Sequence, residues 1–164
     1  MCHTGYVTVN STRNLFYWFF ESRGDPETDP FILWMTGGPG CSGMLALMVE
    51  NGPYKVGSDG ALSLNPYSWN EKANILFIDQ PVGTGFSYDS NPLDLGVTNE
   101  KEMASNMFDF FQNWFGQNPK YAKLPFFIAA ESYGGHYAPA LAHFIQQQNA
   151  AAVAAPINLQ ARPK

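Results

Sequence analysis

The chain has 164 residues, 45% of them hydrophobic and 15% aromatic, enough to bury one core of ordinary single-domain size. A net charge of −5 with no basic run argues against nucleic acid or any other polyanionic partner. The longest apolar runs are strand-length, short of the roughly 20 residues a membrane helix needs, and no charged and apolar leader opens the chain, which as written would stay soluble in the cytosol.

The elements follow in chain order. Gly5-Tyr6-Val7-Thr8-Val9 and Asn14-Leu15-Phe16-Tyr17-Trp18-Phe19-Phe20 are rich in β-branched and aromatic residues around a polar turn, which predicts an antiparallel hairpin. After a loop broken by Pro26 and Pro30, the run Phe31-Ile32-Leu33-Trp34-Met35 reads as a strand buried on both faces. A helix is predicted over 44–50, ended by Gly52 and Pro53, followed by a turn-rich stretch over 55–70. Residues 73–79 supply another buried strand. Asn99 with Glu102 forms a capping box opening a helix whose apolar face is Met103, Met107, Phe108, Phe111, Trp114 and Phe115; Gly116 and Pro119 stop it. A last strand over 126–130 runs into a helix bearing Tyr137, Leu141, Phe144 and Ile145. Strands alternating with helices after an initial hairpin predict an α/β fold with a mixed sheet and helices on both faces.

Two stretches carry chemistry. In Ala129-Ala130-Glu131-Ser132-Tyr133-Gly134 a strand turns into a helix at a serine flanked by small residues, the pattern of a nucleophile elbow, although Ala130 stands where the strict Gly-x-Ser-x-Gly form has glycine. A helix-capping serine is the alternative. In Thr36-Gly37-Gly38-Pro39-Gly40-Cys41-Ser42-Gly43 the spacing also satisfies a dinucleotide-binding Gly-x-Gly-x-x-Gly. Pro39 removes a backbone donor from that loop, and the chain enters a turn-rich segment instead of returning to a parallel strand, so no dinucleotide is expected. Consecutive glycines instead let backbone N–H groups face a ligand oxygen. Such a loop beside the elbow would supply half of an oxyanion hole, with the N–H of Tyr133 as the other half.

Residues 34–43, residues 74–88 with their Asp79-Gln80-Pro81-Val82-Gly83-Thr84-Gly85-Phe86-Ser87-Tyr88, and residues 131–139 resemble the serine carboxypeptidase family, in that order and at plausible spacing. The resemblance implies a partial α/β-hydrolase fold and serine-type carboxypeptidase activity, proteolysis that releases C-terminal residues from peptides through an acyl-enzyme. It implies Ser132 as the nucleophile, Gly38 and Tyr133 as the oxyanion-hole donors, and Thr36, Gly37 and Glu131 as the residues that bind the terminal carboxylate of a peptide or protein substrate. Many members carry Asn where this chain has Thr36, whose hydroxyl offers a different reach and donor count. A glutamic acid can donate to a substrate carboxylate only when protonated. The acyltransferase branch of the family, which passes the acyl group to an alcohol, and a non-catalytic binding fragment are the alternatives. No cofactor and no metal are expected.

Serine catalysis also needs an acid and a base. After Ser132 there is no aspartate, and the histidines there are His136 and His143. His136, four residues along the elbow helix, is expected to pack beside or beneath the sheet end and to be structural. Residues 1–148 therefore read as the N-terminal part of a hydrolase domain whose C-terminal half is missing, an inactive truncation as it stands. Residues 149–164, with glutamine, asparagine and alanine tracts, read as a poorly ordered tail. Without the missing half one sheet edge should stay open, with Phe144 and Ile145 facing water and the fragment poorly stable. The resemblance places the full-length protein in the secretory pathway, in a vacuole or lysosome or outside the cell. Asn10-Ser11-Thr12 is a glycosylation sequon that would suit such a route. Cys2 and Cys41 are too far apart in sequence and too differently flanked for a metal pair; the resemblance gives Cys41 a disulfide partner much later in a full-length chain.

Overall fold

The computed structural model describes residues 1–93 and 96–160. Strands β1 (Cys2–Val9) and β2 (Arg13–Phe20) form the antiparallel hairpin, followed by β3 (Phe31–Met35) and helix α1 (Gly43–Val49). A short hairpin, β4 (Tyr54–Val56) with β5 (Leu62–Leu64), and a 3₁₀ turn over Trp69–Glu71 lead into β6 (Asn74–Ile78) and the two-residue β7 (Tyr88–Asp89). Helix α2 (Glu100–Gln117), the single turn α3 (Pro119–Ala122), β8 (Phe126–Ala130) and α4 (Gly134–Ala151) complete the chain.

Among the described residues the main sheet has the order β1-β2-β6-β3-β8, with β7 paired to the start of β2. The hairpin lies antiparallel on β6, whereas β6, β3 and β8 run parallel. Parallel strands must be covered on both faces, and here they are. Phe19, Phe31, Leu33, Met35, Leu76 and Ile78 point to the side covered by α2 and α4. Phe20, Trp34, Ile75 and Phe77 point to the other side, where Ala46 and Leu47 of α1 meet them. Helix α2 buries every residue of its expected apolar stripe, and the Asn99 side chain caps it by accepting from the Glu102 N–H at 2.9 Å. It runs through Gly116 and stops before Pro119, whose ring starts the next turn.

Three expectations change. Within the stretch over 55–70 the β4–β5 hairpin forms with both strands exposed; segments of three residues that bury no side chain leave no periodic signal in sequence. Ile145 is fully buried, and Phe144 packs edge-on against Phe108 at 5.7 Å, so α4 covers its apolar face with α2 instead of showing it to water. Residues 149–160 are not a loose tail. Helix α4 continues to Ala151, Ile157 is buried, and the Asn149 side chain clasps Ile157 by donating to its carbonyl at 2.8 Å and accepting from its N–H at 3.0 Å. The chain then runs parallel to the start of β8, with the Phe126 N–H donating to Asn158 O at 2.9 Å and the Gln160 N–H to Phe126 O at 2.8 Å. Polar residues that looked like low complexity satisfy the backbone of this segment. Residues 161–164 of the expected tail lie outside the described residues. Past Phe126 the outer edge of β8 stays open among the described residues, and Phe127 is 41% exposed.

Candidate active site

The carboxyl ends of β3, β6 and β8 meet at one rim of the sheet, as parallel strands require. At the end of β8 the chain reverses through Glu131, Ser132 and Tyr133 into α4. Ser132 adopts φ +54°, left-handed for a residue with a β-carbon, and its side chain is exposed. The turn is held by three consecutive backbone bonds: the N–H groups of Gly134, Gly135 and His136 donate to the carbonyls of Glu131, Ser132 and Tyr133 at 2.8–2.9 Å. A β-carbon on Gly134 would lie 2.6 Å from the Met35 carbonyl oxygen and 2.9 Å from the Ala130 β-carbon. The glycine after the serine therefore leaves room for alanine before it, which is how the elbow forms without the strict motif.

The glycine loop after β3 presses against this turn. A β-carbon on Gly37 would lie 2.5 Å from the Tyr133 amide nitrogen and 2.9 Å from the Ser132 β-carbon, so only glycine fits. The Gly37 N–H donates to Glu131 Oε1 at 3.2 Å. Among the described residues the N–H groups of Gly38 and Tyr133 donate to no protein acceptor, and Gly38 has φ +118°. Two unspent donors beside an exposed serine are what an oxyanion site requires.

The block over 79–88 proves to be a brace. Asp79, fully buried at the end of β6, accepts from the Ser42 hydroxyl and from the Phe86 N–H at 2.8 Å, while its carbonyl accepts from the Ser87 hydroxyl. Ser42 also caps α1 through the Met44 N–H. The loop over 80–87 and the glycine loop are thus tied to one carboxylate, which fixes Gly38 relative to the elbow.

Gly37, Gly38, Glu131, Ser132 and Tyr133 gather at one place. Thr36 does not present itself there. It is 2% exposed, and its hydroxyl is turned inward with no partner among the described residues. The strand alternation that carries Trp34 inward carries Thr36 to the same side. Sequence reasoning missed Glu50. Although much of its side chain is exposed, burial and then the negative charge of Glu131 push its carboxyl above the ordinary range, so the two acids feel each other's charge. The signal was weak, a lone glutamate closing α1.

His136 is exposed and stacks on the Tyr133 ring at 4.6 Å. Among the described residues no side chain hydrogen-bonds the Ser132 hydroxyl. Cys2 and Cys41 are free and exposed, and no group of acids, histidines and cysteines there could hold a metal. A cleft of about 300 Å³ opens between Pro39, Gly40, Pro81, Tyr133, Tyr137 and the start of α2. In it the Tyr133 hydroxyl donates to Glu100 Oε1 at 2.7 Å. That bond, the backbone N–H of α2 and nearby His136 hold the Glu100 carboxyl below its ordinary range, and the same bond pushes the Tyr133 hydroxyl up.

Comparison with known proteins bears on the family and the fold. The profile of the serine carboxypeptidase family matches residues 1–162. A serine carboxypeptidase S10 family member 1 from Dictyostelium discoideum is 49% identical over 150 residues, covering 89% of this chain and 35% of that protein. Carboxypeptidase S1 from Penicillium janthinellum is 45% identical, over 91% of this chain and 34% of its own. Among solved structures, the prohormone-processing carboxypeptidase Kex1Δp from Saccharomyces cerevisiae superposes with a TM-score of 0.83 at 33% identity, covering 98% of this chain and 37% of the other. A thermophilic esterase from Thermogutta terrifontis, TM-score 0.54 at 16% identity, shares the fold alone. The chain spans about a third of the length of the curated relatives it matches. Its fold is a partial α/β-hydrolase fold, and the chain belongs to the serine carboxypeptidase family.

Proposed function

We propose that residues 1–160 are the N-terminal part of a serine carboxypeptidase domain in which Ser132 attacks the last peptide carbonyl of a substrate. The carbonyl oxygen gains charge as the bond forms, and the N–H groups of Gly38 and Tyr133 receive it. Removing one such donor typically costs about 10²–10³ in rate. The free carboxylate of the departing residue meets Glu131 and Gly37, within reach of the charge that Glu50 and Glu131 exert on each other. A substrate carboxylate beside two acids is accommodated when a proton is shared among them, which gives the site an acidic bias. The observation that carries this reading is the left-handed Ser132 held against a glycine loop with two unspent backbone donors.

The acid and base of the reaction belong to the part of the domain beyond this chain. The 164-residue polypeptide should therefore release no C-terminal residue from a blocked dipeptide above background, since the acceleration left when triad members are lost is only about 10³–10⁴ over water. Ordinary turnover abolished by Ser132→Ala would overturn the assignment of an inactive truncation. In a chain completed with the C-terminal part of a full-length family member, a fluorophosphonate should label Ser132; labelling elsewhere would overturn the nucleophile. The buried Thr36 hydroxyl favours a second reading, acyl transfer to an alcohol, because it leaves fewer donors for a terminal carboxylate. Glu131 favours the peptidase. The full-length protein acts in the secretory pathway on this reading, and the Asn10-Ser11-Thr12 sequon lies exposed at the β1–β2 turn where a glycan could be carried.

A further inference from the structure

The tip of the β1–β2 hairpin and the aromatic face beside it have no role in the chemistry described above. Val7, Val9 and Leu15 carry one face of the hairpin into the core that α2 covers. On the opposite face Tyr6 meets Phe16 at 5.4 Å and Tyr88 at 5.5 Å, and Phe16 meets Phe86 at 5.1 Å. The core cluster that α1 shares with Phe20 and Trp18 of β2 includes none of these four rings. Tyr6 is accordingly 49%, Tyr88 50% and Phe86 62% exposed, a contiguous apolar patch with nothing over it among the described residues. The adjoining turn carries Asn10-Ser11-Thr12, the one Asn-x-Ser/Thr sequence in the chain. Asn10 and Ser11 take left-handed backbone angles, φ +45° and +65°, and Asn10 is exposed. The Asn10 side-chain amide makes no hydrogen bond within the described residues. Asn14 differs: its amide donates to Thr12 O at 2.9 Å and to the Ser90 hydroxyl at 3.1 Å.

We propose that Asn10 carries an N-linked glycan and that the Tyr6–Tyr88 face is the surface on which the core sugars of that glycan lie. The inference rests on the secretory reading of the full-length protein. Tyr88 pairs in register with Asn14 beside the turn, and Tyr6 precedes Asn10 by about 13 Å of extended strand. The branched core of an N-linked glycan spans that distance. A pyranose ring offers an apolar face of C–H groups edged by hydroxyls. Tyrosine matches it with an apolar ring and a polar tip that can give or take a hydrogen bond. The charged pair beside the turn is already satisfied, Arg13 donating to Asp89 Oδ2 at 3.3 Å and to Glu102 Oε1 at 2.7 Å, so the patch draws a neutral, amphipathic cover and not an ionic one. A glycan lying there would remove from water the rings that the fold itself leaves uncovered.

The test is to produce the 164-residue chain behind a signal peptide in a eukaryotic host and to purify it from cells or medium. Its mass should fall on treatment with peptide N-glycosidase F, and Thr12→Ala, whose side chain makes no hydrogen bond, should abolish that difference. Tetranitromethane then reports on the rings. Nitration of Tyr6 and Tyr88, read by peptide mass spectrometry, should be about fivefold slower in the glycosylated chain than in the enzyme-treated chain or in Thr12→Ala, a cover that burying some 40 Å² of apolar surface would sustain. Tyr67, 86% exposed and on another part of the molecule, should react alike in all three. A chain that leaves the host unmodified at Asn10 would overturn the site, and equal rates at Tyr6 and Tyr88 with and without sugar would overturn the packing. A foreign signal peptide forces entry to the pathway, so neither result depends on where the native protein goes; the native location is read separately, from whether protein taken from its own source carries sugar.

Discussion

The backbone nitrogen of Tyr133 occupies the space that a side chain on Gly37 would need: a β-carbon there would come within 2.5 Å of it. Residues 96 positions apart in sequence are thereby locked into one surface. Gly37→Ala should force the glycine loop off the elbow and destabilise the fold by about 1–3 kcal/mol, the usual cost of overpacking. Urea denaturation would measure it. A variant as stable as the parent chain would mean that the two loops are not in contact.

Ser132 should show an inverted ranking of small residues. At ordinary backbone angles alanine is more stable than glycine by about 0.5–1 kcal/mol. At φ +54° a β-carbon costs about 1–2 kcal/mol that glycine escapes. Ser132→Gly is therefore expected to melt above Ser132→Ala. The usual order, alanine above glycine, would remove the strained elbow from the account.

Two glutamates should pull stability in opposite directions with pH. Burial and the charge of Glu131 raise the folded-state pKa of Glu50, so the folded chain holds its proton more tightly than the unfolded one, and stability declines as pH climbs above the ordinary glutamate value. Glu50→Gln should flatten that decline. Glu21 behaves in the converse way: the Tyr121 hydroxyl at 2.6 Å, with Lys120, lowers it to about 2, and burial together with Glu21 pushes Tyr121 up to about 12. Its contribution is complete above the ordinary value and is lost as pH falls from there towards 2. Tyr121→Phe should cost about 1–2 kcal/mol near neutral pH, since a part-buried carboxylate loses one of its donors while Lys120 remains, and less at pH 3. A pH-independent cost would show that the bond does not favour the ionised carboxylate.

Ile157 tests whether the end of the chain is part of the fold. It is 4% exposed and lies against the core beneath the Asn149 clasp. Ile157→Ala should lower stability by about 2–3 kcal/mol, at the modest end for a buried isoleucine because the segment can partly collapse. An effect below 0.5 kcal/mol, of the size seen at surfaces, would restore the picture of a loose tail.

The sequence alone determined the strands and long helices with one strong period: the stripe from Met103 to Phe115, the continuous run over 31–35 and the hairpin aromatics were read without any structure, because burial on one or both faces leaves its imprint on every residue. It also showed that an elbow serine and a glycine loop occur together. Tertiary structure decided what depends on residues distant in the chain. Only the packing of β3 against β8 shows why Ala130 is tolerated before Ser132, since the room comes from Gly134 and the Met35 carbonyl. The inward turn of the Thr36 hydroxyl, the effect of the Glu131 charge on Glu50 and the brace from Asp79 to Ser42 are set by three-dimensional neighbours that no local pattern encodes. The docking of residues 149–160 was hidden for a related reason: its polar side chains satisfy backbone groups one by one, and such bonds have no period to read.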